Sequence, residues 1–172
     1  MRVKSEAMRR LMSRRGALVA ALLVVCGCSR DASSVSTAAT TTALDSLNAR
    51  IVRAYREHDS KGYGALYTDS AQFEWPAVPT VRGRAGLETM AHDVWTPLPD
   101  LDLKLIVATR RIAATHATEL GAFEESWRDS TGGRTTEFGR YVVLFAKAPD
   151  DTWRIDRFLG FSDSTTTRPP AR

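Results

Sequence analysis

Residues 131–147, TGGRTTEFGRYVVLFAK, combine a glycine turn with a long run of β-forming residues. The Gly132-Gly133 pair is a hairpin signal, and the run after it is rich in the aromatic and β-branched residues that favour strands. It predicts a strand at about Thr135–Lys147 that pairs antiparallel with an earlier strand at about Thr115–Arg128. An antiparallel sheet is therefore expected at the centre of the fold.

Three more strands are predicted, two before this hairpin and one after it. Apolar residues at 101, 103, 105 and 107 alternate with polar ones, which indicates a strand with one wet face. A turn at Pro149-Asp150-Asp151 leads to a last strand at Trp153–Phe161, and Ala71–Trp75 is a short early strand ended by Pro76.

Three N-terminal helices are predicted before the four-stranded meander, with the short strand Ala71–Trp75 between the second and the third. The first carries an apolar stripe at helical spacing, formed by Leu44, Leu47, Ile51 and Tyr55. Asp59 can cap a second short helix, about Ser60–Thr68, and a third spans about Arg84–Trp95. Helices followed by an antiparallel meander indicate an α+β fold.

The net charge of +4 belongs to the start of the chain. Residues 1–27 hold six of the 24 basic residues and one of the 20 acidic ones, which leaves 18 basic against 19 acidic residues from Cys28 onward. The body therefore has no concentrated basic surface for nucleic acid.

The same leader is typical of an exported protein. A basic start is followed by the uncharged apolar run Gly16–Cys26, which is too short for a permanent transmembrane helix. Val25-Cys26-Gly27-Cys28 resembles the lipobox of bacterial lipoproteins, and this resemblance implies that residues 1–27 are removed and Cys28 is acylated. An ordinary cleaved signal that happens to end in Cys is the alternative.

The expected location is the cell envelope, with a periplasm-facing domain held on the membrane by lipid at Cys28. Ser29 fits sorting to an outer membrane if the organism is Gram-negative. Arg14-Arg15 resembles a twin-arginine signal, so both the general secretory and the twin-arginine routes stay open. With Cys26 removed and Cys28 acylated, no disulfide and no cysteine nucleophile is expected.

Composition divides the remaining chain into three parts. Residues 28–42 are mainly Ser, Thr and Ala and are predicted to be a disordered tether. Residues 43–162 form the folded domain, and residues 163–172 are predicted to be a disordered tail.

The domain resembles the NTF2-like superfamily, of the SnoaL-like or DUF4440 type, over residues 43–162. The resemblance is carried in order by His58-Asp59, Ala65–Ala71, Pro76, Arg82-Gly83-Arg84, Ala117 with Gly121, Gly139–Val143 and Asp151–Ile155. It implies a cone in which three N-terminal helices pack in a strongly curved, mostly antiparallel sheet, with a pocket at one end. The superfamily includes isomerases, dehydratases, binding proteins and assembly modules, so the fold alone does not give the function.

The ketosteroid isomerase branch is not supported by the residues at its catalytic positions. Aligned on Asp59 and Pro76, this chain has Trp75 where that branch has its general base and Ile51 where it has its oxyanion-binding Tyr. Neither side chain can perform those roles.

Three charged residues are the candidate catalytic groups: Glu119, Glu125 and Arg157. Arg157 is the only polar residue in the alternating row of the last strand, and Glu119 and Glu125 share one face of the strand at 115–128. They are expected to form a polar hook, an acid–base site or a structural ion pair. A bulge in the 115–128 strand would reverse which of its side chains face the pocket.

Aromatic residues are expected to form the pocket wall, with core packing as the alternative role of Tyr67, Trp75 and Tyr141. The complete predicted pocket is Tyr67, Trp75, Tyr141, Arg157, Glu119, Phe123 and Glu125. His58, His92 and His116 are scattered, so neither a metal site nor a cofactor is predicted.

The strand at 135–147 is apolar on both faces, which is explained by the pocket on one side and a second subunit on the other. A homodimer through the sheet face is predicted, with a monomer covered by its own loops or termini as the alternative. The expected function is non-catalytic binding of a small, partly apolar molecule; a SnoaL-like isomerase, dehydratase or hydrolase and a protein assembly module are the alternatives.

Overall fold

The structure, a computed structural model, describes residues 29–76, 78–98 and 100–169, with side chains from Thr37 onward. The predicted signal at 1–27 and the predicted lipidation site Cys28 lie outside the described residues. Within the described part of the chain, no helix is long and apolar enough to cross a membrane.

Three helices and six strands make up the described chain. They are α1 (Ser29–Glu57), α2 (Ser60–Gly64), β1 (Tyr67–Glu74), β2 (Val81–Arg82), α3 (Gly83–Trp95), β3 (Asp102–Ile112), β4 (His116–Arg128), β5 (Arg134–Lys147) and β6 (Trp153–Arg168). The strands form one curved sheet in the order β2-β1-β6-β5-β4-β3. Only β1 and β6 pair parallel. The predicted α+β fold is found, although α3 follows β1 and β2 and the helices therefore do not all precede the sheet.

Helix α1 differs from the prediction at its start. The chain divides into two units, Met1–Ala39 and Thr40–Arg172, and α1 begins in the first of them, at Ser29. Residues 29–42 of the segment predicted as a tether are therefore helical. It contains neither Gly nor Pro to stop a helix, and extending an existing helix costs much less than nucleating one.

The prediction of a disordered tail at residues 163–172 is also wrong as far as Arg168. Strand β6 continues to Arg168, and its last residues pair with the first residues of β5, from Phe138↔Ser164 to Arg134↔Arg168. Composition suggested disorder because Ser164–Thr167 offer little apolar surface. Threonine nevertheless favours strands, and the start of β5 supplies the backbone partners that a lone tail lacks.

A tight turn joins α1 to α2. His58 adopts a positive φ of 52°, and the Asp59 carboxylate then accepts a hydrogen bond from the Gly62 backbone N–H at 2.8 Å. Asp59 therefore caps α2, as predicted. Helix α2 is only one turn long, so Tyr67 and Thr68, predicted as its end, belong to β1 instead.

The core of the Thr40–Arg172 unit lies on one face of the sheet. Its buried residues include Leu44, Leu47 and Ile51 of α1, Leu87, Ala91 and Trp95 of α3, and Ala117, Phe123, Tyr141, Val143, Phe145 and Ile155 of the sheet. The apolar stripes read from the sequence are thus the packed faces of α1 and α3.

Four register shifts interrupt the pairings of the described strands, and two of them decide which side chains around the pocket face this core. The pairing of β3 with β4 shifts between Val107 and Thr109, and the pairing of β5 with β6 shifts between Ile155 and Arg157. Each inserts one extra residue, Ala108 or Asp156, and reverses the alternation of side chains beyond it.

Candidate functional site

An inner cavity of about 40 Å³ lies between α1, β1 and the inward face of β3–β6. Aromatic side chains form most of its wall, namely Tyr55, Tyr63, Tyr67, Phe73, Trp75, Phe123, Tyr141 and Phe158. Since one water needs about 10–15 Å³ in this measure, the inner cavity has room for only a few water molecules.

An outer cleft of about 340 Å³ adjoins the inner cavity. Four residues, Tyr55, Phe73, Trp75 and Glu125, line both spaces. The rest of the cleft wall comes from α3, the segment after it, the end of β4 and the start of β5. These elements contribute Met90, Val94, Trp95, Leu98, Trp127 and Glu137. The candidate functional site is therefore the open, aromatic outer cleft together with the small inner cavity that adjoins it.

Glu125 lies at the boundary between the outer cleft and the inner cavity. It lies on β4 directly opposite Glu137 of β5 and opposite Leu103 of β3. No hydrogen bond or ion pair to the Glu125 carboxylate is found among the described residues. Burial raises the pKa of Glu125 to about 7, and the negative charge of Glu137 contributes to the increase. Near neutral pH, Glu125 can therefore either accept or release a proton.

Three tyrosines extend from Glu125 into the core. The rings of Tyr55 and Tyr63 meet edge to face at 5.8 Å, and the Tyr67 hydroxyl donates to the Tyr63 hydroxyl at 2.5 Å. Burial raises the pKa of each of these phenols far above its ordinary value. They are therefore neutral hydrogen-bonding groups at physiological pH.

Glu119 is fully buried and fully partnered. Its Oε1 accepts hydrogen bonds from Asn48 Nδ2 and from the Tyr141 hydroxyl, both at 2.8 Å. Its Oε2 accepts from Arg110 Nε at 2.8 Å and Arg110 Nη2 at 2.5 Å. Because Arg110 also contacts Asp45 at 2.8 Å, the network ties α1 to β3, β4 and β5. With its oxygens occupied, Glu119 holds the structure together and is not free for chemistry.

Arg157 is not in the pocket, contrary to the prediction. The extra residue Asp156 reverses the alternation of β6, so Phe158 lines the inner cavity in place of Arg157. The Arg157 side chain is 43% exposed, and its closest carboxylate oxygen is Glu74 Oε1 at 3.9 Å. The expected contact of Arg157 with Glu119 or Glu125 is therefore absent, and Arg110 is the cation that pairs with Glu119.

The other predicted pocket residues lie at the inner cavity: Tyr67, Trp75, Phe123, Tyr141 and Glu125. Gly160 of β6 makes room for Trp75, because a Cβ at position 160 would overlap the Trp75 ring. All three histidines are exposed, and among the described residues no three His, Cys, Asp or Glu side chains come together as metal ligands would.

Sequence reasoning missed four residues of the site and its support: Asn48, Tyr55, Tyr63 and Arg110. Asn48 had a recognisable signal, since it is a polar residue within the apolar stripe of α1. Tyr55 was assigned to the stripe itself, where packing is the usual role. Arg110 lies beyond the bulge at Ala108, where the alternation gives no guide.

The comparisons with known proteins agree with this architecture. A sequence model of the SnoaL-like domain matches residues 49–155. An NTF2-like protein with a cystatin-like fold from Novosphingobium aromaticivorans superposes with a TM-score of 0.70 at 16% identity, over 81% of this chain and 92% of that one.

Two other solved structures are similar over most of the domain. A ketosteroid isomerase-like protein from Erwinia carotovora atroseptica has a TM-score of 0.63 at 19% identity, covering 72% of this chain and 95% of its own. A hexachlorocyclohexane dehydrochlorinase from Novosphingobium barchaimii has a TM-score of 0.67 at 14% identity, covering 78% and 93%. No curated protein matches the chain by sequence.

Proposed function

The chain belongs to the SnoaL-like domain family and has the NTF2-like fold, and on that premise we propose that it binds a small, partly apolar molecule in the outer cleft. The observation that carries this proposal is the open, aromatic-walled cleft of about 340 Å³, with Glu125 at its inner end. Ligand sites are typically apolar concavities with a few polar groups that fix orientation. The inner cavity is too small for more than one group of the ligand, so the body of the ligand lies in the cleft. Assignment to the DUF4440 type within the family stays a prediction.

Non-catalytic binding is the function that the candidate residues support best. Glu119 is occupied by Asn48, Tyr141 and Arg110, and Arg157 lies outside the pocket. Among the described residues that line the cleft and the inner cavity, Glu125 and Glu137 are the only carboxylates and there is no histidine, lysine or arginine.

Proton transfer is a second candidate function, favoured by one observation. The pKa of Glu125, about 7, suits a general base or acid near neutral pH. The dehydrochlorinase and the ketosteroid isomerase-like protein among the similar structures make such chemistry reasonable on this fold. In this role Glu125 would take a proton from a carbon acid bound against Trp75 and Tyr55.

Mass spectrometry of small molecules that co-purify with the protein tests both candidates. A molecule recovered from the wild type but not from a variant with a blocked cleft, Val94→Trp, supports binding in the cleft. Incubating that molecule with wild type and Glu125→Gln then separates the functions. A binding protein leaves the molecule unchanged, whereas an enzyme converts it and loses turnover in Glu125→Gln while still binding.

We also propose that the protein is a lipoprotein of the cell envelope, anchored through Cys28 and facing the periplasm. The support is the sequence Val25-Cys26-Gly27-Cys28 after a basic, apolar leader. Mass spectrometry of the mature N-terminus should find an acylated Cys28. Cys28→Ser should abolish labelling by an alkyne fatty acid and release the protein from the membrane fraction, whereas Cys26→Ser should keep both.

A further inference from the structure

The outer cleft carries negative charge and no positive charge among its described lining residues. Its two carboxylates, Glu125 and Glu137, lie directly opposite each other on β4 and β5. Neither carboxylate has a hydrogen bond or ion pair within the described parts of the chain. Directly opposed like charges on neighbouring strands destabilise a sheet, so this pair has a cost when both carboxylates are ionised.

Elsewhere in the domain, a buried carboxylate is paired with a positive side chain. Glu119, on the same face of β4, is paired with Arg110 and accepts two further hydrogen bonds. Glu125 is largely buried and has no such partner. An unpaired buried carboxylate is costly in its ionised form, so it either keeps a proton or needs a positive group beside it. A bound cation would supply that group.

The rest of the cleft wall suits a cation with an apolar body. Tyr55 and Trp95 pack with ring centroids 4.5 Å apart, and Trp75 and Trp127 also line the cleft. Aromatic faces attract an ammonium group placed within about 6 Å of the ring centre. Rings and carboxylates at one site therefore favour the same kind of ligand.

We propose that the outer cleft binds an organic ammonium ion, whose charged group lies at Glu125 and Glu137 and whose apolar part packs on Trp75, Trp95 and Trp127. This inference rests on the proposed binding function and narrows its ligand class. It excludes an anion as the preferred ligand, because both carboxylates would repel it.

Three probes of one shape and different charge test the ligand class: 2-phenylethylammonium, 2-phenylethanol and phenylacetate. Each is titrated into the full-length protein in detergent at pH 8, and binding is followed by tryptophan fluorescence and by calorimetry. We expect the ammonium probe to bind at least tenfold more tightly than the alcohol, and phenylacetate to bind most weakly.

Substitutions of the two carboxylates test whether they cause the preference for the ammonium probe. Glu125→Gln and Glu137→Gln should each reduce the preference for the ammonium over the alcohol by about fivefold. Glu124→Gln is the matched control, because Glu124 is the next residue on β4 and pairs with Lys104 at 3.1 Å on the other face. It should leave the preference intact. Thermal melting of each variant checks that it is folded.

The outcomes separate the two proposals. Equal binding of the ammonium and the alcohol, or a preference that persists in the double variant Glu125→Gln/Glu137→Gln, overturns the cation proposal and leaves binding in the cleft standing. If none of the three probes binds at millimolar concentration, the cation proposal fails, and binding of other molecules is decided by the co-purification experiment.

Discussion

Arg110 donates two hydrogen bonds to one carboxylate oxygen of the fully buried Glu119, from Nε at 2.8 Å and from Nη2 at 2.5 Å. The same guanidinium reaches Asp45 on α1, so one arginine links the long helix to two strands of the sheet. The pair thus fixes where α1 lies against the inner cavity that Asn48 and Tyr141 line.

Removing Arg110 should destabilise the domain strongly. Arg110→Met leaves the Glu119 carboxylate buried without its cation, which typically costs about 3–5 kcal/mol. Urea unfolding of the full-length protein measures the change. Arg111→Met is the control, since Arg111 is the exposed neighbour on β3, and it should change the free energy of unfolding by less than about 0.5 kcal/mol. Equal effects of the two substitutions would contradict the assigned role.

The pKa of Glu125 makes stability depend on pH in a stated direction. The folded protein holds the Glu125 proton up to about pH 7, whereas the ordinary value is 4.5. The folded state therefore binds more protons between these values, and its stability falls as the pH rises through this window. Because one pKa unit corresponds to about 1.4 kcal/mol, the loss is on the order of 3 kcal/mol.

Glu125→Gln should remove this dependence because its amide does not titrate. Unfolding free energies of wild type and variant are compared at pH 5 and pH 8, so that other titrating groups cancel in the difference. The variant should gain stability relative to wild type at pH 8 and little at pH 5. A constant difference between the two proteins across this range would show that Glu125 titrates normally.

Regular alternation predicted the strand content and grouped Glu119, Phe123 and Glu125 on one face of β4, while a bulge could have turned that face outward. No shift interrupts the pairing of β4 with β5, so Glu119, Phe123 and Glu125 all lie on the inward face that their spacing indicates. The same reasoning misplaced Arg157, because Asp156 is an extra residue in β6. A bulge depends on how two strands hydrogen-bond to each other, and the alternation of a single strand does not contain that information.

The site was harder to predict than the fold for a related reason. The charged pair in the cleft joins Glu125 to Glu137, and the buried network joins Asn48, Arg110 and Glu119 from three elements. Such groupings depend on strand register. Tyr55 and Tyr63 could be placed in the core by helical spacing, but their meeting with Glu125 at the inner cavity depends on how α1 and α2 pack against the sheet.

The last residues of β6 should contribute measurably to stability, although their composition suggested disorder. Thr167 is opposite Thr135, and their hydroxyls are 3.1 Å apart. A chain ending at Asp163 would expose the backbone of Arg134–Phe138, and we expect a loss of about 2 kcal/mol from the broken hydrogen bonds. A chain ending at Arg168 is the control and should match wild type.

Hydrogen exchange identifies the cause of that loss. In the shorter chain the amides of Arg134–Phe138 that pair with β6 should exchange rapidly, while those later in β5 keep their protection. Unchanged exchange at Arg134–Phe138 would mean that the end of β6 does not pair in solution.

The face of the sheet opposite the inner cavity should form a homodimer interface. Its exposed apolar side chains are Ile106, Leu120, Leu144 and Phe161, each between 38% and 42% exposed. Strand pairing brings them to neighbouring strands, with Val142 and Leu159 between them. Arg140 and Arg157 lie on the same face, beside Phe161 and Leu144. Exposed apolar side chains grouped on one face commonly mark interaction sites, and two copies of one patch can cover each other about a twofold axis.

Light scattering of the Cys28→Ser protein, which lacks the proposed acylation site, should give a dimer mass. Leu120→Lys places a charge at the centre of the patch and should give a monomer of unchanged thermal stability or slightly lower stability. Glu88→Lys is the control, because Glu88 lies on α3 away from this face, and it should remain dimeric. A monomeric mass for the Cys28→Ser protein at concentrations up to about 100 μM, where an interface of standard size is normally saturated, would contradict the dimer.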